Sequence, residues 1–265
     1  MTLPPRASGP YQAPSTVLIT GATGGIGAAL ARGYAQSGRT LVLHGRDASR
    51  LASLSKECEL RGARVRAVTF DLRDAVATIA ALRSLSSEHV IDLVIANAGV
   101  SREIGAGLES ENWEVAREVL AVNVDGMIAT VAGVLPEMRR RGGGQIAIVS
   151  SLAAYCGLPV TPTYCASKAA LKIYGEAMRG WLAPQGIAVN VVMPGFVRTP
   201  MNEGVAGARP FLMSPEQAAM RIRRGLERNR ARIAFPRRLA WAMWLLSVLP
   251  AALSQRMVRA GGFGR

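Results

Sequence analysis

Cysteine, lysine and acid are all scarce in this chain. Its three cysteines, Cys58, Cys156 and Cys165, are odd in number and set up no disulfide framework, so a cytoplasmic protein in a reducing compartment is expected. Only three of the 32 basic residues are lysines (Lys56, Lys168 and Lys172), so each stands out against an arginine background. Acidic residues number 18, which leaves a net charge of +14. The opening Met1-Thr2-Leu3-Pro4-Pro5-Arg6 lacks the long apolar core of a secretory signal, and four prolines within residues 1–14 suit a loose tail. No internal repeat, low-complexity block or recognised nucleic-acid-binding module is visible. No nucleic acid partner is therefore expected despite the basic charge, and no metal is expected either.

What is present reads as one large α/β domain. A chain of 265 residues, 49% of them hydrophobic, is long enough to bury a substantial core. Strand-like segments fall at 16–20, 40–44, 64–69, 92–96, 145–149 and 187–192, with a seventh at Arg232-Ile233-Ala234-Phe235. Helical patterns fill the gaps at about 25–37, 48–61, 74–86, 112–140 and 162–183. Alternation of this kind predicts a Rossmann-type, doubly wound parallel sheet with helices on both faces.

Tyr164 and Lys168 carry the strongest chemical signal. Four residues make about one helical turn, so phenol and ammonium share a helix face. An ammonium beside a phenol favours the phenolate and is expected to lower the tyrosine's pKa from about 10, fitting it for proton exchange with a carbonyl or alcohol. Thirteen residues earlier the buried-strand pattern Ile146-Ala147-Ile148-Val149 delivers Ser150 and Ser151 to the carboxyl edge of the sheet, where open α/β folds place ligands. Ser151 is preferred over Ser150 as hydrogen-bond partner of a substrate oxygen. Cys165, a helix neighbour pointing about 100° away from Tyr164, reads as packing. Near the N-terminus, Val17-Leu18-Ile19-Thr20 is followed by Gly21-Ala22-Thr23-Gly24-Gly25-Ile26-Gly27 and a helical run. A glycine-rich turn between strand and helix lets the backbone approach a pyrophosphate at the helix N-terminus.

These motifs, with Asn97-Ala98-Gly99 after a fourth strand and Pro194-Gly195-Phe196-Val197-Arg198-Thr199 after a sixth, fall in one order. In that order the chain resembles a classical short-chain dehydrogenase/reductase across residues 15–236. The resemblance implies a catalytic set of Asn123, Ser151, Tyr164 and Lys168, with Asn123 supporting a water chain through Lys168. It implies cofactor contacts from Gly21, Thr23, Gly24, Gly25, Ile26 and Gly27, from Asp71 and Leu72, and from Asn97, Ala98 and Gly99. Tyr164 and Lys168 join these, as do Pro194, Gly195, Val197 and Thr199. A mid-helix asparagine such as Asn123 competes for backbone hydrogen bonds, an oddity that favours a functional role. The bland reading of Asp71 is a helix cap.

The nucleotide can be argued from the second strand. A site for NAD(H) places Asp or Glu at its end to bind the ribose hydroxyls, but Gly45 stands there and Arg46 follows. A guanidinium grips a 2′-phosphate through two bonds, so NADP(H) is expected over NAD(H), with Arg46 as its contact. Asp47 would matter instead if the register slipped by two.

The C-terminal extension, residues 237–265, departs from the family pattern. Between Arg209 and Arg265 twelve arginines face only Glu216 and Glu227, a net of +10. Residues 239–253 carry no charge, yet fifteen residues fall short of the about 20 that cross a bilayer, and Pro250 ends any helix there. Peripheral contact of 237–259 with an anionic membrane surface, on the inner face, is one reading. Packing on the protein's own core, a dimer interface and simple solubilisation are the others. The loop 201–213 occupies the family's substrate-lid position, with Phe211, Leu212 and Met213 offering apolar contact, and Ser214-Pro215-Glu216-Gln217 caps the next helix. Together these point to an oxidoreductase interconverting a carbonyl and a secondary alcohol, of lipophilic character, in a homo-oligomer paired through the helices at 112–140 and 162–183. Rival readings are a non-catalytic nucleotide-binding scaffold or redox sensor, and an epimerase or dehydratase of nucleotide sugars, whose usual extra sugar-binding domain has no room here.

Overall fold

The computed structural model describes residues 13–101, 111–202 and 209–263. Seven parallel strands form one sheet: β1 (Thr16–Ile19), β2 (Thr40–His44), β3 (Arg64–Val68), β4 (Leu93–Ala96), β5 (Gly144–Val149), β6 (Ile187–Pro194) and β7 (Arg232–Phe235). Their order is β3-β2-β1-β4-β5-β6-β7. Each predicted strand is present within two residues of its expected ends.

Period-two alternation sorts the strand side chains to the two faces. Val17, Ile19, Leu41, Leu43, Leu93 and Ile95 face one hydrophobic cluster. Leu18, Val42, Val94 and Ala96 face the other. The first cluster is roofed by α1 (Gly25–Tyr34), α2 (Ala48–Leu60) and α7 (Pro215–Glu227). The second lies under α3 (Ala75–Glu88), α5 (Gly126–Arg141) and α6 (Pro162–Leu182), with α4 (Trp113–Leu120) leading into α5. Burying each such Leu or Ile completely contributes about 1.5–3 kcal/mol, so the central strands bear most of the core. The exposed, arginine-bearing β3 suits an edge.

The predicted helix at 112–140 is one continuous rod with an irregular centre. Between α4 and α5, Ala121–Asp125 widens into a π-turn, with the amide of Gly126 donating to the carbonyl of Ala121. Among the described residues the stretch Trp113–Arg141 is long and apolar enough to cross a membrane, at a mean hydropathy of 1.7, but 56% of its apolar window is buried inside the protein. It is a core helix. The capping box at α7 forms as expected, Ser214 and Gln217 each bonding the other's backbone amide.

After β7 the chain folds into α8 (Arg237–Val248) and α9 (Ala251–Val258), separated at Pro250. One side of α8, carrying Leu239, Ala240, Met243 and Leu246, packs on Leu152, Cys156, Val191 and Met193. Packing on the protein's own core is thus realised on that side. The centre of the 201–213 loop, residues 203–208, lies outside the described residues. Met213 pairs with Val197 and is buried in the core. Phe211 and Leu212 are exposed.

Candidate active site

The chain leaves β3 at one edge and returns in β4 on the far side of β1, so the loops after β1 and β4 part at a topological switch point. A cleft of about 610 Å³ opens there. All the residues expected at the site line it, except Asn123.

The loop after β1 forms the floor. Gly21 has φ +64, and a Cβ on it would lie 2.7 Å from Ala98 Cα. A Cβ on Gly27 would overlap the carbonyl oxygen of Gly21. Only bare backbone fits at both places. Gly24 caps α1 without a side-chain hydrogen bond, and the first turn carries no acid. The amides of Gly25, Ile26 and Gly27 thus open onto the cleft at the positive end of a helix, a ready anion site. The sheet-side anchor is Thr20, whose Oγ1 accepts from the amides of Asn97 (3.1 Å) and Ala98 (3.3 Å). Asn97 answers by donating from Nδ2 to the carbonyls of Thr20 (3.1 Å) and Gly21 (3.2 Å).

His44, at the end of β2, extends this lock and had no signal in the sequence. Its ring stacks on Phe70 at 4.1 Å between centroids. Nε2 lies 2.9 Å from the Phe70 carbonyl, and Nδ1 lies 3.4 Å from the amide nitrogen of Gly21. A carbonyl at one nitrogen and an amide at the other select the neutral tautomer with its proton on Nε2. Burial pushes the His44 pKa below its ordinary value in the same sense.

Gly45 and Arg46 follow β2 directly. Asp47 also lines this end of the cleft, but its carboxylate is engaged: it caps α2 through the amide of Arg50 (3.0 Å) and pairs with the Arg50 guanidinium at 3.3 Å. Arg46 and Arg50 line the same end of the cleft. Asp71 is not the cap of α3, which is Asp74. It stands on the cleft wall, its carboxyl pKa held below the ordinary value chiefly by the hydrogen-bonded guanidinium of Arg73.

The opposite wall joins β5 to α6. Ser151 Oγ accepts from the amide of Ala153 at 3.1 Å and donates to the Pro194 carbonyl at 3.5 Å, and its hydroxyl faces Tyr164 closely enough to oppose the rise in the phenol's pKa. Ser150 turns inward and donates to the Lys168 carbonyl at 2.6 Å, which makes it a brace for α6. Pro162 begins α6, and Tyr164 and Lys168 lie one turn apart on it, Lys168 Nζ 5.7 Å from the phenol ring centre. The expected depression of the tyrosine pKa does not occur among the protein groups alone. Burial pushes Tyr164 up to about 12, and burial lowers Lys168 to about 8. The ammonium aims a hydrogen at the Val149 carbonyl, 3.1 Å away, and not at the phenol oxygen. Desolvation, not mutual charge, dominates both groups.

Asn123 stands behind this wall, at the centre of the π-turn. Its Oδ1 accepts from the amide of Val100 (2.8 Å), while Nδ2 donates to the Val100 carbonyl (2.9 Å) and to Ser167 Oγ (3.0 Å). A Cβ on Gly99 would lie 3.2 Å from Asn123 Oδ1 and 3.3 Å from Lys168 Nζ, so one glycine separates cleft, asparagine and lysine. Cys165 packs as expected, its sulfur against the amide of Leu158.

Residues 15–209 match the family model of the short chain dehydrogenases. The chain belongs to that family. A relative from Myxococcus xanthus described as an uncharacterized oxidoreductase is 36% identical over 245 residues, covering 92% of this chain and 96% of that one. Among solved structures, a short-chain dehydrogenase from Sphingobium yanoikuyae in complex with NADPH superposes with a TM-score of 0.76 at 27% identity, covering 92% of each chain. The bulky-bulky ketone specific alcohol dehydrogenase from Comamonas testosteroni superposes with a TM-score of 0.73 at 26% identity, covering 90% of this chain and 96% of that one. This short-chain dehydrogenase is accordingly an oxidoreductase of a family whose members hold nicotinamide nucleotides. The cleft fits such a group: bare backbone at Gly21 and Gly27 and an open helix N-terminus form the cradle a dinucleotide pyrophosphate needs.

Proposed function

We propose that this protein is an NADP(H)-dependent oxidoreductase that interconverts a carbonyl and a secondary alcohol, with Tyr164 as general acid and base. The observation that carries the reading is the convergence of Ser151, Tyr164 and Lys168 on one wall of the cleft. A nicotinamide held in this cleft would supply or accept the hydride. Ser151 holds the substrate oxygen and stabilises the charge that develops on it. With its pKa raised by burial, Tyr164 carries its proton at neutral pH and can donate it to a carbonyl oxygen. Lys168 holds the nucleotide ribose, and Asn123 keeps the wall behind Lys168 in register, on the path by which a proton returns to Tyr164.

The choice of NADP(H) rests on Gly45, which leaves room at the ribose, and on Arg46 and Arg50, which offer two guanidiniums to a 2′-phosphate while Asp47 is engaged at the start of α2. A lipophilic substrate is supported by the exposed apolar pair Phe211 and Leu212 in the lid segment, and by the bulky ketones named for the Comamonas testosteroni neighbour. Exposed Trp113 and Leu120 on α4 and Ile173 and Trp181 on α6 support a homo-oligomer paired through these helices.

Screening NADPH oxidation over long-chain, aryl and short polar ketones with the wild type and Tyr164→Phe tests the reaction. Turnover on the lipophilic set, falling by about 10²–10⁴ in kcat in the variant, is the expected result. Turnover unaffected by the substitution would remove Tyr164 from the mechanism. NADPH binding without turnover on any carbonyl would favour the nucleotide-binding scaffold.

A further inference from the structure

Helix α8 is apolar on two opposite sides, and the core covers only one of them. The inward side packs on Leu152, Cys156, Val191 and Met193. At about 100° per residue, Trp241, Trp244, Leu245 and Val248 share the opposite side, where they are 41–63% exposed. The two indoles meet edge to face, 5.5 Å between centroids. In α9, Leu253 and Met257 are likewise exposed one turn apart, while Ser254 and Val258 face inward. A water-facing helix side is ordinarily polar, so six large apolar side chains together call for a partner.

Charge chooses that partner. The exposed arc of α8 also takes in Arg237 and Arg238 at its head, and exposed Arg256 and Arg259 flank the apolar pair of α9. No acidic residue follows Glu227 in the sequence. A second copy presenting the same face would bring arginine against arginine with no counter-charge. Tryptophan beside leucine, rimmed by arginine, matches the boundary between acyl chains and anionic headgroups.

We propose that the outer face of α8 and α9 docks on an anionic lipid bilayer. The apolar side chains enter the acyl boundary and the four arginines meet headgroup phosphates. The inward side of α8 adjoins the cleft: a Cβ on Gly195 would lie 3.0 Å from Leu239 Cδ2 and 3.3 Å from Leu152 Cδ1. Docking of the outer face therefore sets α8 between the cleft and the bilayer. The proposal stands independently of the reaction assigned to that site.

The test is co-sedimentation of the full-length protein with vesicles of phosphatidylcholine alone, or with about a quarter phosphatidylglycerol. It is run beside Trp241→Ser/Trp244→Ser and Arg237→Gln/Arg238→Gln, with circular dichroism as the check of folding and light scattering for mass. Uptake at least about tenfold greater on the anionic vesicles, reversed by salt and cut about tenfold in each variant, is expected. Equal uptake on both vesicles, or uptake unchanged in the variants, overturns the proposal. So does a dimer that the tryptophan variant splits without any vesicle uptake, which gives the face to a second copy. If the tryptophan variant does not fold, the surface arginine pair decides alone.

Discussion

Lys168 is the residue whose titration bears most on function. Its pKa near 8 means that the charge on the cleft wall is lost just above neutrality. A charge-assisted hydrogen bond is roughly twice as strong as a neutral one, so NADPH affinity is expected to fall about three- to tenfold between about pH 7 and 9.5. Titration across that range, with Lys168→Met losing the dependence, checks it; a flat profile in the wild type would remove the lysine charge from binding. The stability effect has the opposite sense. Because the folded lysine releases its proton before the unfolded one, folding stability gains from this residue as pH rises from about 8 towards 10.5. Tyr164, Lys168 and Ser151 were legible in the sequence because their spacing and strand-end position carry the geometry. The direction of the tyrosine shift was not, because it depends on how deeply α6 and the loops around it bury the phenol. Nor was His44, whose partners Gly21 and Phe70 lie more than twenty residues away on either side.

At the scale of elements, the β1–α1 turn is the tightest part of the site. Gly27→Ala forces a Cβ onto the Gly21 carbonyl oxygen, a backbone atom with no rotamer by which to give way. A loss of NADPH affinity of at least about tenfold is expected, with the turn displaced from the cradle. Isothermal titration measures it, and an unchanged affinity would show that the turn has slack the structure does not have. The long helix at 112–140 was legible from its apolar pattern, but its π-turn was not. That irregularity answers to tertiary contacts, with Asn123 bonded to Val100 and Ser167, 23 and 44 residues distant. That Met213 is buried was not legible in the apolar run Phe211-Leu212-Met213, because residues near a loop's end are claimed by the core they re-enter.

At the scale of the molecule, the sheet and its switch point follow from strand and helix alternation, and seven strands appear where seven were expected. The C-terminal helices were harder to read, because an apolar stretch does not reveal that one side packs inward and the other faces out. The same ambiguity governs the exposed faces of α4 and α6. If they pair subunits, light scattering gives a dimer or tetramer, and Ile173→Glu with Trp181→Glu reduces it to monomer; a monomeric wild type would contradict the pairing.

The central claim is that this cleft binds NADP(H), and that Arg46 selects it over NAD(H). Titrating NADPH and NADH into the purified protein and into Arg46→Ala, while following nicotinamide fluorescence, tests it most directly. The account predicts tighter NADPH binding that weakens about tenfold in the variant, with NADH little changed. Preference for NADH, or loss of both nucleotides alike, would contradict it.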